Sequence, residues 1–68
     1  MSDKITIEYY AGPTRLNLIG AVTAYRKNML DDARRVGRLL CQINQVKDVE
    51  AQILDENGDL IETRTITR

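Results

Sequence analysis

The sequence predicts an α+β fold in which one long helix packs on a small three-stranded sheet, in the order β-α-β-β. Three observations predict it: an alternating apolar segment near the start, a helical apolar period through the middle, and a hairpin pattern at the C-terminal end. With 68 residues, the chain is expected to form a single domain over residues 1–68. The helix and the sheet are expected to bury their apolar faces against each other as a two-layer domain.

The first predicted element is a strand in the segment KITIEYY, residues 4–10. Ile5, Ile7 and Tyr9 occupy alternate positions, so we expect them to share the face that contacts the helix. Gly12 and Pro13 follow the strand and end it, because both residue types interrupt regular structure.

The second predicted element is one long helix over about residues 17–45. Apolar residues recur there at intervals of three or four positions and form a single stripe on a helical wheel. The stripe consists of Leu18, Val22, Tyr25, Met29, Ala33, Val36, Leu40 and Ile43. Gly20 and Asn28 are weak points in this helix, and a strand through RLNLIGAV, residues 15–22, is the alternative.

The third predicted element is a β-hairpin over residues 49–66. Asn57 and Gly58 supply the turn residues, and Gly58 suits the left-handed position of a three-residue loop. This loop pairs Asp55 with Asp59. A two-residue Asn-Gly loop would instead set two acidic residues opposite each other, so we expect the three-residue loop.

The predicted loop also fixes the register of the hairpin, with Ile53 opposite Ile61. The sheet residues expected to meet the helix are Ile5, Ile7, Tyr9, Val49, Ala51, Ile53 and Ile61. A right-handed crossover through the helix would place the first strand parallel to one strand of the hairpin.

The predicted helix is longer than the sheet can cover. It would extend about 42 Å, whereas strands of six or seven residues reach about 20–23 Å. Small residues at every fourth position would let another backbone come close, and that backbone is either the chain's own sheet or a second helix. We expect a homodimer, because two-fold pairs are the commonest oligomers. The residues expected in self-association are Ile19, Leu30, Ala33, Gly37 and Cys41.

A protein partner is also expected at the outer face of the sheet. Leu54 and Leu60 pair there, and Tyr10 projects to the same side of the first strand. Exposed apolar side chains of this kind can anchor another protein. We therefore expect a small non-catalytic interaction protein, either an adaptor or an inhibitor. Its size is typical of the inhibitors that phages and plasmids encode.

The composition argues against an enzyme, a metal site, a bound cofactor or a small-molecule substrate. The sequence contains no histidine and a single cysteine, Cys41, which lies in an apolar segment with no base beside it. A lone cysteine is typical of a reduced, cytoplasmic protein. No signal peptide is recognised near the start, and no apolar run approaches the ~20 residues of a membrane span.

Nucleic acid is the alternative partner. Residues 15–46 carry a net charge of +4 and residues 47–68 a net charge of −3, although the whole chain is neutral. Lys27, Arg34 and Arg38 would lie on the side of the helix opposite the apolar stripe and could contact phosphates. Asp31 lies in the same row and weakens this expectation.

Overall fold

The computed structural model describes residues 3–11 and 17–68, and within them one α-helix packs on a four-stranded antiparallel sheet. The α+β class is therefore confirmed. The elements are β1 (Lys4–Ala11), β2 (Asn17–Tyr25), a short 3-10 turn (Arg26–Asn28), α1 (Met29–Asn44), β3 (Asp48–Leu54) and β4 (Leu60–Thr67). The strand order is β2-β1-β3-β4, so β1 and β3 are central and β2 and β4 lie at the edges.

The prediction of one helix over residues 17–45 is wrong, because its first nine residues form β2. Ile19, Val22 and Thr23 are β-branched, and Gly20 disfavours a helix, so this segment suits a strand. β2 pairs with β1 along its whole length, with one β-bulge opposite Tyr9 and Tyr10. The alternative strand is confirmed from residue 17 onward. Gly12 and Pro13, and the start of that alternative strand, lie outside the described residues.

The predicted three-stranded sheet and its parallel pairing are also wrong. β1 pairs with β3 in the antiparallel direction, with Ile7 opposite Ile53. The extra strand explains the difference: β2 reverses the chain once before α1 begins, so the chain leaves α1 in the opposite direction to that predicted. The hairpins β1–β2 and β3–β4 therefore flank the helix in sequence.

The predicted three-residue loop of the second hairpin is confirmed. The Asp55 amide donates to the Asp59 carbonyl oxygen at 2.9 Å, and Gly58 has a φ of 86°. The Asp55 carboxylate also accepts hydrogen bonds from the amides of Asn57 and Asp59, at 2.9 and 3.0 Å. These bonds hold the loop closed without help from the rest of the chain.

The predicted register of this hairpin is shifted by a β-bulge between Ile53 and Leu54. Leu54 does pair with Leu60, but Ile53 lies opposite Glu62 rather than Ile61. The bulge moves every later residue of β4 by one position. Consequently Ile61 is exposed, and Ile66 is buried opposite Val49, where the unshifted register would place Thr65.

The core lies between α1 and one face of the sheet. Its buried residues are Ile5, Ile7, Tyr9, Ala11, Ala24, Ala33, Cys41, Val49, Ala51, Ile53 and Ile66. Except for Ile61, the sheet residues expected to meet the helix are all among them. Burying a large aliphatic side chain contributes about 1.5–3 kcal/mol, so the isoleucines of β1 and β3 supply much of the stability.

The small residues of α1 allow its backbone to approach the sheet of its own chain. A Cβ atom placed at Gly37 would lie 2.8 Å from Ile66 Cγ2, which is closer than side-chain atoms pack. The Tyr9 hydroxyl donates to the carbonyl oxygens of Asp32 and Ala33, at 3.3 and 3.4 Å. Burial, and then the nearby charge of Asp32, raise the pKa of Tyr9 to about 12, so this donor keeps its proton.

The end of α1 is defined by its backbone. Gln45 takes a left-handed conformation, with φ 55° and ψ 44°. The amide of Val46 donates to the Cys41 carbonyl at 3.0 Å, and that of Gln45 to the Gln42 carbonyl at 3.3 Å. This pair of bonds is a Schellman motif, which satisfies carbonyl groups that the last helical turn leaves free. The helix therefore ends where the sequence predicted.

The close approach at Gly37 generates a prediction. Gly37→Ala should lower the free energy of unfolding by about 1–2 kcal/mol, although alanine favours a helix by about 1 kcal/mol, because the added methyl group displaces Ile66. Chemical denaturation followed by circular dichroism measures the change. Arg38→Ala, on the exposed face of α1, is the control and should change stability by less than about 0.5 kcal/mol. An increase in stability for Gly37→Ala would contradict the packing described.

Candidate interaction surfaces

One face of the sheet is not covered by α1, and we call it the helix-free face. Because side chains alternate along a strand, the residues between the buried ones point to this side. Its residues include Thr6, Glu8 and Tyr10 of β1, Leu18, Ala21 and Thr23 of β2, Glu50, Gln52 and Leu54 of β3, and Leu60, Thr63 and Thr65 of β4. Small and polar side chains dominate it, and its large apolar residues lie at the ends of the strands.

The structure places the predicted partner-binding residues Tyr10, Leu54 and Leu60 on the helix-free face, but in two separate clusters. Leu54 and Leu60 form a direct cross-strand pair, and Leu60 is 56% exposed. Tyr10 lies four residues along β1 from Thr6, the partner of Leu54. This offset corresponds to about 13 Å, so Tyr10 belongs with its neighbour Leu18 instead.

The centre of the helix-free face is acidic. The Tyr10 hydroxyl donates to Glu8 Oε1 at 3.0 Å, and the Gln52 amide donates to Glu50 Oε2 at 2.9 Å. The hydrogen bond to Glu8, followed by burial, raises the pKa of Tyr10. The two carboxylates are thus held in place by neighbouring side chains on the same face. Glu8 lies between the two apolar clusters, and Glu50 lies opposite Tyr10.

The residues predicted for self-association do not share one surface. Ala33, Gly37 and Cys41 are buried beneath the sheet of their own chain. Close packing of the helix on its own sheet was one of the two explanations for their spacing, and it accounts for all three. Ile19 packs partly against the core, and Leu30 is exposed on α1.

Sequence reasoning missed an apolar surface along β2. Among the described residues, no strand pairs with the outer edge of β2, and its nine residues, NLIGAVTAY, include no charge. Leu40 of α1 lies over Gly20, which shows that this flank of the helix faces β2. Leu39 and Ile43 occupy the same flank and are 53% and 66% exposed. We call β2 with Leu39 and Ile43 the β2 side.

The opposite side of the molecule, which we call the β4 side, is charged in both layers. Gly37 and Cys41 lie against Ile66 of β4, so the adjoining helix flank, with Arg34 and Arg38, is on this side. The edge strand β4 itself carries Glu62 and Arg64, which form an ion pair. Charged edge strands resist pairing with other strands, and this protection is lacking in β2.

The predicted phosphate-binding residues are exposed but interrupted by an acidic group. Arg34 and Arg38 are one helical turn apart on α1, and Lys27 lies in the preceding 3-10 turn. Asp31 shares their row and is also exposed. Nearby, Arg35 is bound to Asp32 at 2.9 Å. The row therefore presents three cations with one internal carboxylate.

Cys41 does not have the surroundings of a reactive thiol. It is fully buried, its Sγ lies 3.7 Å from the Ile66 carbonyl oxygen, and burial is the main reason that its pKa is raised. The raised pKa keeps the thiol protonated, whereas nucleophilic cysteines need a lowered pKa. Within residues 3–11 and 17–68, no group of three acidic or cysteine side chains could hold a metal ion.

A depression of about 470 Å³ lies where β2 meets the 3-10 turn. It is lined by Asp3, Tyr25, Arg26 and Lys27, all of which are exposed. Specific ligand pockets bury most of their ligand and place polar groups inside. This depression has the character of open surface. The helix described here is too short and too polar to cross a membrane.

Comparison of the chain with protein-family models, curated proteins and solved structures gives no match.

The burial of Cys41 generates a prediction. Its thiol should react with an aromatic disulfide reagent at least about 100-fold more slowly in the folded protein than in denaturant, since reaction requires opening of the core. Absorbance of the released thiolate measures the rate. In the control, Cys41→Ala combined with Gln42→Cys, the new thiol lies on the exposed face of α1 and should react at once. Equal rates for the two folded proteins would contradict the burial.

Proposed function

We propose that this chain is a small non-catalytic protein-interaction module, an adaptor or an inhibitor, that works as a homodimer. The observation that carries the proposal is the amount of apolar surface left uncovered. Seven large apolar side chains are exposed among the described residues of a very small domain: Leu18, Tyr25, Leu30, Leu39, Ile43, Leu60 and Ile61. Scattered exposed residues are ordinary, but those that gather on one face or side are typical of contact surfaces.

The partner protein binds at the Leu54–Leu60 end of the helix-free face. This pair projects from two adjacent strands, so it forms a raised apolar ridge rather than a pocket. Glu8 lies two residues along β1 from Thr6, the partner of Leu54, toward the centre of the sheet, and Glu50 lies farther away, opposite Tyr10. A suitable partner therefore presents an apolar recess for Leu60 and basic groups along its rim.

A non-catalytic role is supported by the state of the reactive groups. The sequence has no histidine to act as a general acid or base near neutral pH. Its one thiol is held protonated in the core. A buried reduced thiol also suits the cytoplasm, where we place the protein.

The proposed partner surface generates a prediction. Leu60→Lys should reduce recovery of the partner at least about tenfold when the tagged chain is purified from its source cell, because a charge replaces the exposed apolar anchor. Quantitative mass spectrometry of the purified complexes measures the loss. Thr67→Lys, exposed on the same strand but away from the ridge, is the matched control and should keep the partner.

Two results would contradict the proposed partner surface. One is an identical set of bound proteins for Leu60→Lys and wild type. The other is a wild-type chain that recovers no protein besides itself. Circular dichroism of each variant shows whether the fold is retained.

Phosphate binding is the second candidate function, favoured by the exposed row of Lys27, Arg34 and Arg38. If this row binds nucleic acid, the double variant Arg34→Gln with Arg38→Gln should bind more weakly. The slope of the logarithm of the binding constant against the logarithm of the salt concentration should also become shallower by about two units. Fluorescence anisotropy with a labelled duplex measures both. Arg64→Gln on β4 is the control, and lack of wild-type binding at about 50 mM salt would end this candidate.

A further inference from the structure

We propose that two copies of the chain pair through the outer edges of their β2 strands and form one continuous eight-stranded antiparallel sheet. The inference deepens the proposed homodimer, on which it rests, by assigning its interface. It starts from the contrast between the two edges of the sheet. β4 carries Glu62 and Arg64, whereas β2 carries no charged residue over its nine positions. Proteins usually protect a long edge strand with charges, and an unprotected edge is a template for another strand.

The helix layer shows the same asymmetry. On the β2 side, Leu39 and Ile43 are exposed, and the charges of that flank, Asp32 and Arg35, neutralise each other at 2.9 Å. On the β4 side, the helix presents Arg34 and Arg38. An apolar, effectively uncharged surface thus spans both layers on one side of the molecule, which is the composition of an interface core.

The size of the β2 side suits a small dimer. A strand of nine residues is about 30 Å long, and the sheet and helix layers together are about 20 Å high, so this side covers roughly 600 Å². A standard interface buries about 800 Å² per partner. The backbone groups along the edge of β2 add a ladder of hydrogen bonds that a flat apolar patch would lack.

Symmetry favours a second copy of the chain as the molecule that covers the β2 side. A two-fold axis perpendicular to the sheet makes the two β2 strands antiparallel and keeps both helices on the same face. The residues nearest such an axis, in the middle of the nine-residue strand, are Ile19, Gly20, Ala21, Val22 and Thr23. None of them is charged, so a copy of the same strand meets no like charge at this edge. A strand from an unrelated protein would gain no charge complementarity at this edge.

The test introduces charge at the edge without touching the core. Ala21 and Thr23 are exposed on the helix-free face, so A21K combined with T23K leaves the monomer fold intact. In the dimer, the four lysines would lie close together across the axis and repel each other. Sedimentation equilibrium of the full chain should show a wild-type dimer and a dissociation constant raised at least about tenfold in this variant. The matched control, T63K with T65K on β4, should dimerise like wild type.

A charge-reversal experiment shows directly whether the β2 edge pairs with β2 of a second copy. A21E with T23E should also weaken dimerisation by itself, and an equal mixture with the lysine variant should restore a dimer, because opposite charges then face each other. Native mass spectrometry should show one chain of each kind. This rescue occurs only if β2 faces β2.

Three results would overturn the inference. A wild-type monomer at about 100 micromolar would remove both the interface and the proposed homodimer, because an interface near the standard size should hold well below that concentration. A wild-type dimer that the A21K and T23K pair leaves intact would remove the interface alone. Weakened dimerisation without rescue in the mixture would show that β2 contacts a different surface of the second copy, and not its β2 strand. Binding of the protein partner through Leu60 is measured separately, so none of these results decides it.

Discussion

The close contact between α1 and the sheet is the constraint on which the rest of the structure depends. The helix approaches so closely because Ala33, Gly37 and Cys41 present almost no side-chain bulk to the strands, and Ile66 fills the space against Gly37. A core of this size buries only about 60% of the surface that the unfolded chain exposes. Tight packing is therefore necessary for a stable fold. Tyr9 adds hydrogen bonds from the central strand β1 to the backbone of α1.

This packing also decides what remains outside. Once the small residues of α1 face inward, its larger apolar residues Leu39 and Ile43 are left on one flank and its arginines on the other. The edge strands follow the same division, with an uncharged β2 and a charged β4. The helix-free face differs from both, because its large apolar residues lie near the strand ends and it also carries the carboxylates of Glu8 and Glu50. Three surfaces of different chemistry thus surround one small core, and each suits a different kind of contact.

The sequence predicted the class, the second half of the fold and most of the core. The alternation in β1 and the loop residues Asp55 and Gly58 are local signals, and local signals were sufficient there. Residues 17–25 misled the prediction because Leu18, Val22 and Tyr25 continue a helical period by coincidence, while their pairing with β1 depends on residues far away. The register of β4 failed for a similar reason, since a β-bulge has no clear sequence signal.

The candidate surfaces were predictable only in part. The position of Leu54, Leu60 and Tyr10 on the helix-free face follows from alternation within their strands, but their division into two clusters follows from the pairing of β1 with β3. The β2 side could not be anticipated while β2 was assigned to a helix. Its signal was nonetheless present, because a nine-residue segment without charge is unusual in a chain in which 29% of residues are charged.

The strand order carries a consequence for synthesis. β1 leaves the ribosome before the other strands, yet it lies in the centre of the sheet. Its pairing is complete only when β3 has been made as far as Leu54. The β1–β2 hairpin can close early, but one flank of β1 then stays without its neighbour until β3 has been made. Until β3 is made, the unpaired backbone groups along that flank of β1 can pair with other strands, so aggregation is a greater risk during synthesis than in the folded protein.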